Sequence, residues 1–180
     1  MDRELKLDGK VWLIVNKEHQ LIDDIDTDMI FHNRYLAITD IAQMGQYTFD
    51  NLEEWKDFAQ RTEKGDIIIV GANFGSGSSR QQAVDCFVSL GIQAIIAKSF
   101  GAIYKRNAIN SGFPILTYNY INLNKIANRE EITIDLEKGT VNKIESDEEF
   151  INVNPFSQVQ MDIYKSGNLF NYGKTLGNLK

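Results

Sequence analysis

The stretch that decides the fold runs from residue 66 to residue 99 and reads DIIIVGANFGSGSSRQQAVDCFVSLGIQAIIAKS. It opens with a β-branched run, Asp66–Ala72, which is typical of a strand buried on both faces. A loop rich in glycine and serine follows, and apolar residues then recur at helical spacing as far as Gly91. A second apolar run, Ile92–Ser99, completes a predicted strand–loop–helix–strand unit.

The flanking segments extend this alternation in both directions. Downstream, AIYKRNAINSG (102–112) predicts a helix and FPILTYN (113–119) a third strand. Upstream, GKVWLIVN (9–16) predicts a strand, and LEEWKDFAQRTEKGD (52–66) spaces apolar residues at helical intervals before Gly65. Strands that alternate with helices in this way form a parallel sheet with right-handed crossovers.

The C-terminal third of the chain has a different pattern. Residues 131–144 predict a hairpin that turns at Lys138 and Gly139, and a helix is expected near residues 161–167. No linker rich in proline, glycine or serine separates this part from the rest. We therefore expect residues 1–180 to form a single α/β domain, with a mostly parallel central sheet flanked by helices.

Composition excludes several classes of protein. The 180 residues are 43% hydrophobic and carry a formal net charge of -6, which argues against nucleic acid as a partner. The charged start MDRELKLDGK does not resemble a signal peptide, and no apolar run is long enough to span a membrane. We expect a soluble, cytoplasmic protein with no membrane partner. The lone Cys86 excludes an internal disulfide and a metal cluster held by this chain alone.

The glycine–serine loop predicts an anion site. It falls beyond the carboxyl end of a parallel strand, where open α/β sheets bind ligands, and before a helix expected to start near Ser79. A helix N-terminus attracts anions, and Gly75 and Gly77 allow the backbone to approach a ligand. Arg80 can grip a carboxylate with two parallel hydrogen bonds. A small carboxylate or free phosphate fits these features.

Established nucleotide and hydrolase motifs do not fit the loop. The dinucleotide pattern G-x-G-x-x-G matches Gly75 and Gly77 but requires a small residue where Arg80 stands. The loop lacks the lysine of a phosphate-binding P-loop and the G-x-S-x-G of a nucleophile elbow. The remaining non-functional interpretation is a glycine turn, with Ser79 capping the helix and Arg80 in a surface ion pair.

Metal binding by the upstream aspartates is also disfavoured. Asp24, Asp26 and Asp28 alternate as D-x-D-x-D, but an EF-hand requires glycine and glutamate where this chain has Met29 and Tyr35. The aspartates are better interpreted as turn formers, and no metal site is predicted.

Several motifs together resemble the swivelling domain of the aconitase superfamily. NFGSGSSRQQAV and GIQAIIAKSFGAIYKRNAINSGFPIL carry the likeness, with DDIDTDMI and RYLAITD upstream and IDLEKGTV and SGNLFNY downstream, in the same order. The likeness spans nearly the whole chain. It is strongest to small subunits of 3-isopropylmalate dehydratase, with homoaconitase-type subunits close behind. The implied fold is a β/β/α swivelling domain that closes over a large subunit.

The resemblance also implies a chemistry and a partner. The large subunit would carry a 4Fe–4S cluster, and the two chains would form a heterodimer or heterotetramer. The implied reaction is dehydration and rehydration of a small dicarboxylate, which interconverts 2-isopropylmalate and 3-isopropylmalate in leucine biosynthesis. This chain would bind no cofactor of its own, and neither subunit alone would turn over substrate.

The family's site residues map onto two segments of this sequence. The catalytic base corresponds to Ser78, the substrate-carboxylate contacts to Ser79 and Arg80, and an active-site aspartate to Asp28. We hypothesise that Asp28 orients Arg80. The backbone that would line the anion loop is that of Gly75, Ser76 and Gly77.

A second segment, formed by Tyr35, Leu36, Ala37 and Ile38, corresponds to the family's specificity loop. Tricarboxylate-binding members tend to place an arginine there, whereas Ala37 and Ile38 are apolar. Burying a carboxylate against them would cost several kcal/mol, in the range of about 2–7. An isopropyl group would gain roughly 1–3 kcal/mol. The loop therefore favours isopropylmalate over homocitrate or citrate, although Arg34 lies nearby.

Two alternatives remain open from the sequence. One is the small subunit of a related hydro-lyase, such as homoaconitase, citraconate hydratase/methylmalate dehydratase or dimethylmalate dehydratase. The other is a non-catalytic, anion-binding module that only docks on a partner. Removing the Ser78 hydroxyl distinguishes chemistry from docking.

Overall fold

A computed structural model describes residues 3–146 and 149–177. Seven strands form one sheet in the order β6-β5-β1-β2-β3-β4-β7. The strands are β1 (Lys6–Leu13), β2 (Ile67–Val70), β3 (Ala94–Ala97), β4 (Ile115–Ile121), β5 (Glu131–Asp135), β6 (Thr140–Lys143) and β7 (Ile151–Val153). The helices are α1 (Thr27–Ile30), α2 (Phe58–Arg61), α3 (Gln82–Leu90), α4 (Ala102–Asn110), α5 (Gln158–Ser166) and α6 (Leu169–Gly177).

The four central strands are parallel, and the three outer strands are antiparallel to their neighbours. β1, β2, β3 and β4 pair in parallel with one another, while β5 and β7 pair antiparallel to β1 and β4. The helix α3 connects β2 to β3, and α4 connects β3 to β4. The predicted α/β class, the parallel centre and the hairpin of β5 and β6 are therefore confirmed. Because residues 1–2, 147–148 and 178–180 lie outside the described part, the single domain over 1–180 stays a prediction.

Period-two alternation in the buried strands builds two apolar layers. In β2, Ile67 and Ile69 belong to the apolar cluster on one face of the sheet, and Ile68 and Val70 belong to the cluster on the other. All four are fully buried. The second of these clusters includes residues of α3 and α4, and the first includes residues of α5. The continuous apolar run is thus explained by helices that cover both faces.

The helix predicted over residues 52–65 is largely wrong. Only Phe58–Arg61 is helical, and the preceding chain turns through Phe49 and Glu54, whose φ angles are 63° and 70°. The apolar residues instead meet Trp12, against which the rings of Trp55 and Phe58 pack edge-on at centroid distances of 6.0 and 5.8 Å. The apolar residues of this segment are spaced as in a helix because turns place them in one aromatic cluster.

Three elements were not predicted from the sequence. They are α1 at Thr27–Ile30, β7 at Ile151–Val153 and α6 at Leu169–Gly177. The helix α1 begins at an aspartate cap, since Asp26 accepts hydrogen bonds from the N–H groups of Asp28 and Met29, both at 2.8 Å. Among the described helices, none has the length and apolarity needed to cross a membrane.

Candidate functional site

The glycine–serine loop lies at the carboxyl end of β2 and is bonded to the segment that leads into α1. The N–H of Asp24 donates to the carbonyl of Ala72 at 2.8 Å, and the N–H of Thr27 donates to the carbonyl of Ser76 at 2.9 Å. These backbone bonds align two segments that are far apart in sequence. They bring Asp28 and Arg80 together.

Gly75 fixes the base of the loop. Its φ is +74°, in the left-handed region, and its N–H donates to the carbonyl of Ile25 at 2.7 Å. A Cβ at this position would lie 2.2 Å from the ring of Tyr104, which is fully buried. Both the backbone conformation and the available space therefore require glycine here.

Ser78 and Ser79 form the exposed tip of the loop. Within the described residues, neither their hydroxyls nor their backbone N–H groups form hydrogen bonds. The helix expected to start near Ser79 starts at Gln82, because the first α-type bond runs from the N–H of Asp85 to the carbonyl of Gln81 at 3.0 Å. The serines thus precede the first turn of α3, and the helix charge acts on them less than predicted.

Arg80 is held by two internal acceptors. Its Nη1 donates to Asp28 Oδ1 at 2.7 Å and to the Phe31 carbonyl at 3.2 Å, and its side chain is 14% exposed. This contact agrees with the hypothesis that Asp28 orients Arg80. In the described part of the chain, Nε and Nη2 have no hydrogen-bond acceptor, so two nitrogens with three N–H groups remain for a ligand.

Asp28 collects further contacts around the ion pair. Its Oδ1 accepts from the N–H of Asn33 at 3.0 Å, and its Oδ2 accepts from Asn51 Nδ2 at 3.4 Å. His32 Nε2 lies 4.0 Å from the same Oδ2. The hydrogen bond from Arg80 is the main reason that the pKa of Asp28 lies below its ordinary value. The carboxylate is therefore charged and held in place.

Asn51 is a site neighbour that sequence reasoning missed. It lies in a turn 23 residues from Asp28, and nothing in its local pattern marks it. Only the tertiary fold brings its amide to the carboxylate.

The predicted specificity loop follows directly on the Asn33 contact. Tyr35 and Ile38 pack against the core, whereas Leu36 and Ala37 are exposed. The ring of Tyr35 stacks on Tyr47 at a centroid distance of 4.0 Å. Two anchored side chains thus flank an exposed apolar pair, three to four residues after Asn33.

The described residues do not provide a metal site. No group of three or more His, Cys, Asp or Glu side chains comes together in residues 3–146 and 149–177 in a way that could hold a metal ion. Cys86 is buried in α3, and burial raises the pKa of its thiol to about 12. An iron–sulfur cluster does not fit these residues.

Comparison with known proteins places these features in a family. The family profile of the aconitase C-terminal domain matches residues 9–121. The chain is 38% identical to a 3-isopropylmalate dehydratase small subunit of Caldicellulosiruptor saccharolyticus, with 91% of each chain covered. It is 35% identical to a methanogen homoaconitase small subunit of Methanothermobacter thermautotrophicus, over 93% of this chain and 91% of the relative.

A solved structure is similar over the same extent. The crystal structure of a 3-isopropylmalate dehydratase from Methanocaldococcus jannaschii superposes with a TM-score of 0.80 at 32% identity. The match covers 97% of this chain and 96% of that chain.

Proposed function

The chain belongs to the family of the aconitase C-terminal domain and the 3-isopropylmalate dehydratase small subunits, and from that membership we propose that it is the small subunit of a 3-isopropylmalate dehydratase. It would work with a larger partner subunit, as the names of its relatives imply. The reaction would interconvert 2-isopropylmalate and 3-isopropylmalate by loss and return of water.

One observation carries the proposal: the exposed Ser78–Ser79 tip directly precedes an arginine with two unused nitrogens. Asp28 fixes the guanidinium through one nitrogen and leaves Nε and Nη2 unbonded within the described residues. A guanidinium binds a carboxylate best through two parallel hydrogen bonds. Arg80 therefore suits one carboxylate of a diacid substrate, with Ser79 as an additional donor.

The proposed role of Ser78 is that of the base. Dehydration removes a proton from the carbon next to a carboxylate, and an alkoxide at Ser78 would accept that proton and return it in the reverse direction. A hydroxyl is a weak base in water, so the alkoxide needs positive charge and exclusion of water. Arg80 supplies the charge, and a partner subunit covering the exposed tip would exclude the water.

The alkyl-diacid preference rests on the specificity loop. Leu36 and Ala37 present no charge to a substrate, and Leu36 is 39% exposed. An isopropyl group buried against them gains roughly 1–3 kcal/mol, whereas a third carboxylate would lose its water without finding a partner. This favours isopropylmalate over the tricarboxylates of the homoaconitase relatives.

The 4Fe–4S cluster is proposed to belong to the partner subunit. The described residues of this chain offer no ligand set for it, and when bound to the partner it would act as a Lewis acid on the substrate hydroxyl. Leu36 and Ile41, which are 39% and 44% exposed near the loop, give the partner an apolar surface to cover.

Ser78→Ala in the reconstituted pair tests the proposal. We expect kcat on 3-isopropylmalate to fall by about 10²–10⁴-fold while the two subunits still co-elute in size-exclusion chromatography. Ser79→Ala should mainly raise KM, and Ser166→Ala in α5 is the control. Unchanged turnover in Ser78→Ala would support a docking module without chemistry. A wild-type pair that prefers homocitrate would instead indicate a homoaconitase subunit.

A further inference from the structure

We propose that Asp50 is a positioning residue that sets substrate specificity by holding the Arg34 guanidinium away from the substrate's variable group. Arg34 is the nearest cation in sequence to the apolar specificity loop, which it precedes by one residue. The inference rests on the proposed function, because it concerns the substrate selected by that site.

Arg34 is held on two sides. Its Nη2 donates to Asp50 Oδ2 at 2.9 Å, and its guanidinium lies over the ring of Tyr35 at 4.8 Å. The hydroxyl of Tyr35 donates to the same Asp50 oxygen at 2.5 Å. Tyr35 in turn stacks on Tyr47. The carboxylate thus fixes both the arginine and the ring beneath it.

The partly buried position of Asp50 indicates that its charge has a role. Its side chain is 19% exposed, and its Oδ1 is buried with no hydrogen-bond partner in the described part of the chain. Removing a carboxylate oxygen from water without a hydrogen-bond partner costs free energy. Such unpaired buried groups are rare in folded proteins and often have a functional reason. A neutral acceptor would be enough for the Tyr35 hydroxyl alone. The charge is needed only for the arginine.

Without Asp50, the Arg34 charge would be free to reach the site. Arg34 follows Asn33, whose N–H donates to Asp28 Oδ1, the same oxygen that Arg80 contacts. The Arg34 side chain is 58% exposed, so packing restrains its movement little. A released guanidinium beside the loop could pair with the third carboxylate of a tricarboxylate, which the apolar Ala37 cannot do. Asp50 therefore keeps the loop selective for an alkyl group.

Calorimetric titration of citrate into the reconstituted pair tests the inference. We expect Asp50→Asn to bind citrate about tenfold more tightly than wild type, as one charge-assisted contact allows. The double variant Arg34→Met/Asp50→Asn should return to the wild-type affinity, and Asp50→Glu should stay close to it. The matched control is Asp57→Asn, which releases Arg61 from an exposed ion pair that does not involve the specificity loop.

A parallel assay separates specificity from general damage. In Asp50→Asn, kcat on 3-isopropylmalate should stay within about threefold of wild type, while citrate becomes a stronger competitive inhibitor. Unchanged citrate affinity in a folded Asp50→Asn pair would overturn the inference, as would a gain that persists in the double variant. If Asp50→Asn does not fold, Asp50→Ser answers the same question, since it also removes the charge and keeps a polar side chain.

These readouts also keep the two proposals apart. A wild-type pair without turnover of 3-isopropylmalate would contradict the proposed function. The citrate affinities of wild type and variants would still decide the role of Asp50, because calorimetry does not require turnover.

Discussion

The two ends of strand β2 each carry an arginine–aspartate pair, and the pairs differ in what surrounds them. At the amino end, Asp66 accepts hydrogen bonds from Trp12 Nε1 at 2.8 Å, from Thr62 Oγ1 at 3.0 Å and from Arg129. Its side chain is 3% exposed. At the carboxyl end, the side chain of Asp28, the partner of Arg80, is 33% exposed.

The difference agrees with a structural role for the Asp66 pair and with the proposed binding role for the Asp28 pair. Arg129 lies over the ring of Trp12 at 4.7 Å and also contacts Glu63, so both of its terminal nitrogens and its planar face are used internally. Arg80 uses only Nη1 on acceptors of the described chain. We therefore regard the Asp66 pair as structural and the Asp28 pair as a site prepared for a ligand.

The largest expected effect is the loss of stability in Asp66→Ala. Removing the carboxylate leaves Arg129 and the Trp12 N–H without their shared acceptor, which should lower the free energy of unfolding by about 3–5 kcal/mol. Asp28→Ala, in the more exposed pair, should lower it by about 1 kcal/mol or less. Urea unfolding of both variants measures the difference. Equal losses would break the comparison.

The next effect is kinetic and concerns the two arginines. Arg80→Lys keeps the charge but loses the two-pronged geometry, so kcat/KM of the reconstituted pair should fall by roughly 10–100-fold. Arg129→Lys should destabilise the chain and leave KM unchanged. Steady-state assays and urea unfolding on both variants test this. A rise in KM for Arg129→Lys would contradict the structural assignment of its pair.

Ala37→Arg sharpens the functional side of the comparison. An arginine in the specificity loop gives a third carboxylate a partner, so citrate should bind about tenfold more tightly and 3-isopropylmalate more weakly. Ala42→Arg, at an exposed alanine in the neighbouring turn, controls for the added charge. Competitive inhibition measures both. An unchanged ranking of substrates would refute the assignment of the loop.

The smallest effect is a dependence on pH. Arg80 holds the pKa of Asp28 below its ordinary value of 3.8, so folding favours the charged carboxylate. The contribution of the pair is therefore present above that value and is lost as the pH falls through the lower pKa of the folded state. The difference in unfolding free energy between wild type and Asp28→Asn should stay constant above about pH 5 and shrink below about pH 4. A difference that grows in acid would contradict this.

Much of the fold could be predicted because burial leaves a clear pattern. The run Ile67–Val70 alternates between two apolar layers, which only a strand covered on both faces requires. The helix wrongly predicted at residues 52–65 has a different cause, because apolar spacing there does not reflect secondary structure. There, Trp55 and Phe58 serve an aromatic cluster with Trp12, and turns with positive φ at Phe49 and Glu54 deliver them to it. The spacing of apolar residues alone cannot distinguish a helix from turns that place the same residues in a core.

The site was predictable in its residue types and less so in its contacts. The carboxyl end of β2 and the composition of the loop predict an anion site with Arg80, whereas the role of Ser78 comes from the family resemblance, and both assignments stay predictions. Asn33 and Asn51 both donate hydrogen bonds to Asp28, and the Asn51 contact joins residues 23 apart in the chain, which no local spacing encodes. The late start of α3 likewise depends on the first hydrogen bond at Gln81.

Gly75 has a consequence for directed evolution of this enzyme class. With the Tyr104 ring 2.2 Å from where a side chain would begin, and a φ of +74°, every mutation there must displace a buried aromatic anchor. Libraries that randomise the neighbouring exposed serines while freezing this one codon should yield folded clones. Randomising the Gly75 codon should instead yield mostly insoluble protein, even in clones whose changes at Ser78 and Ser79 improve activity.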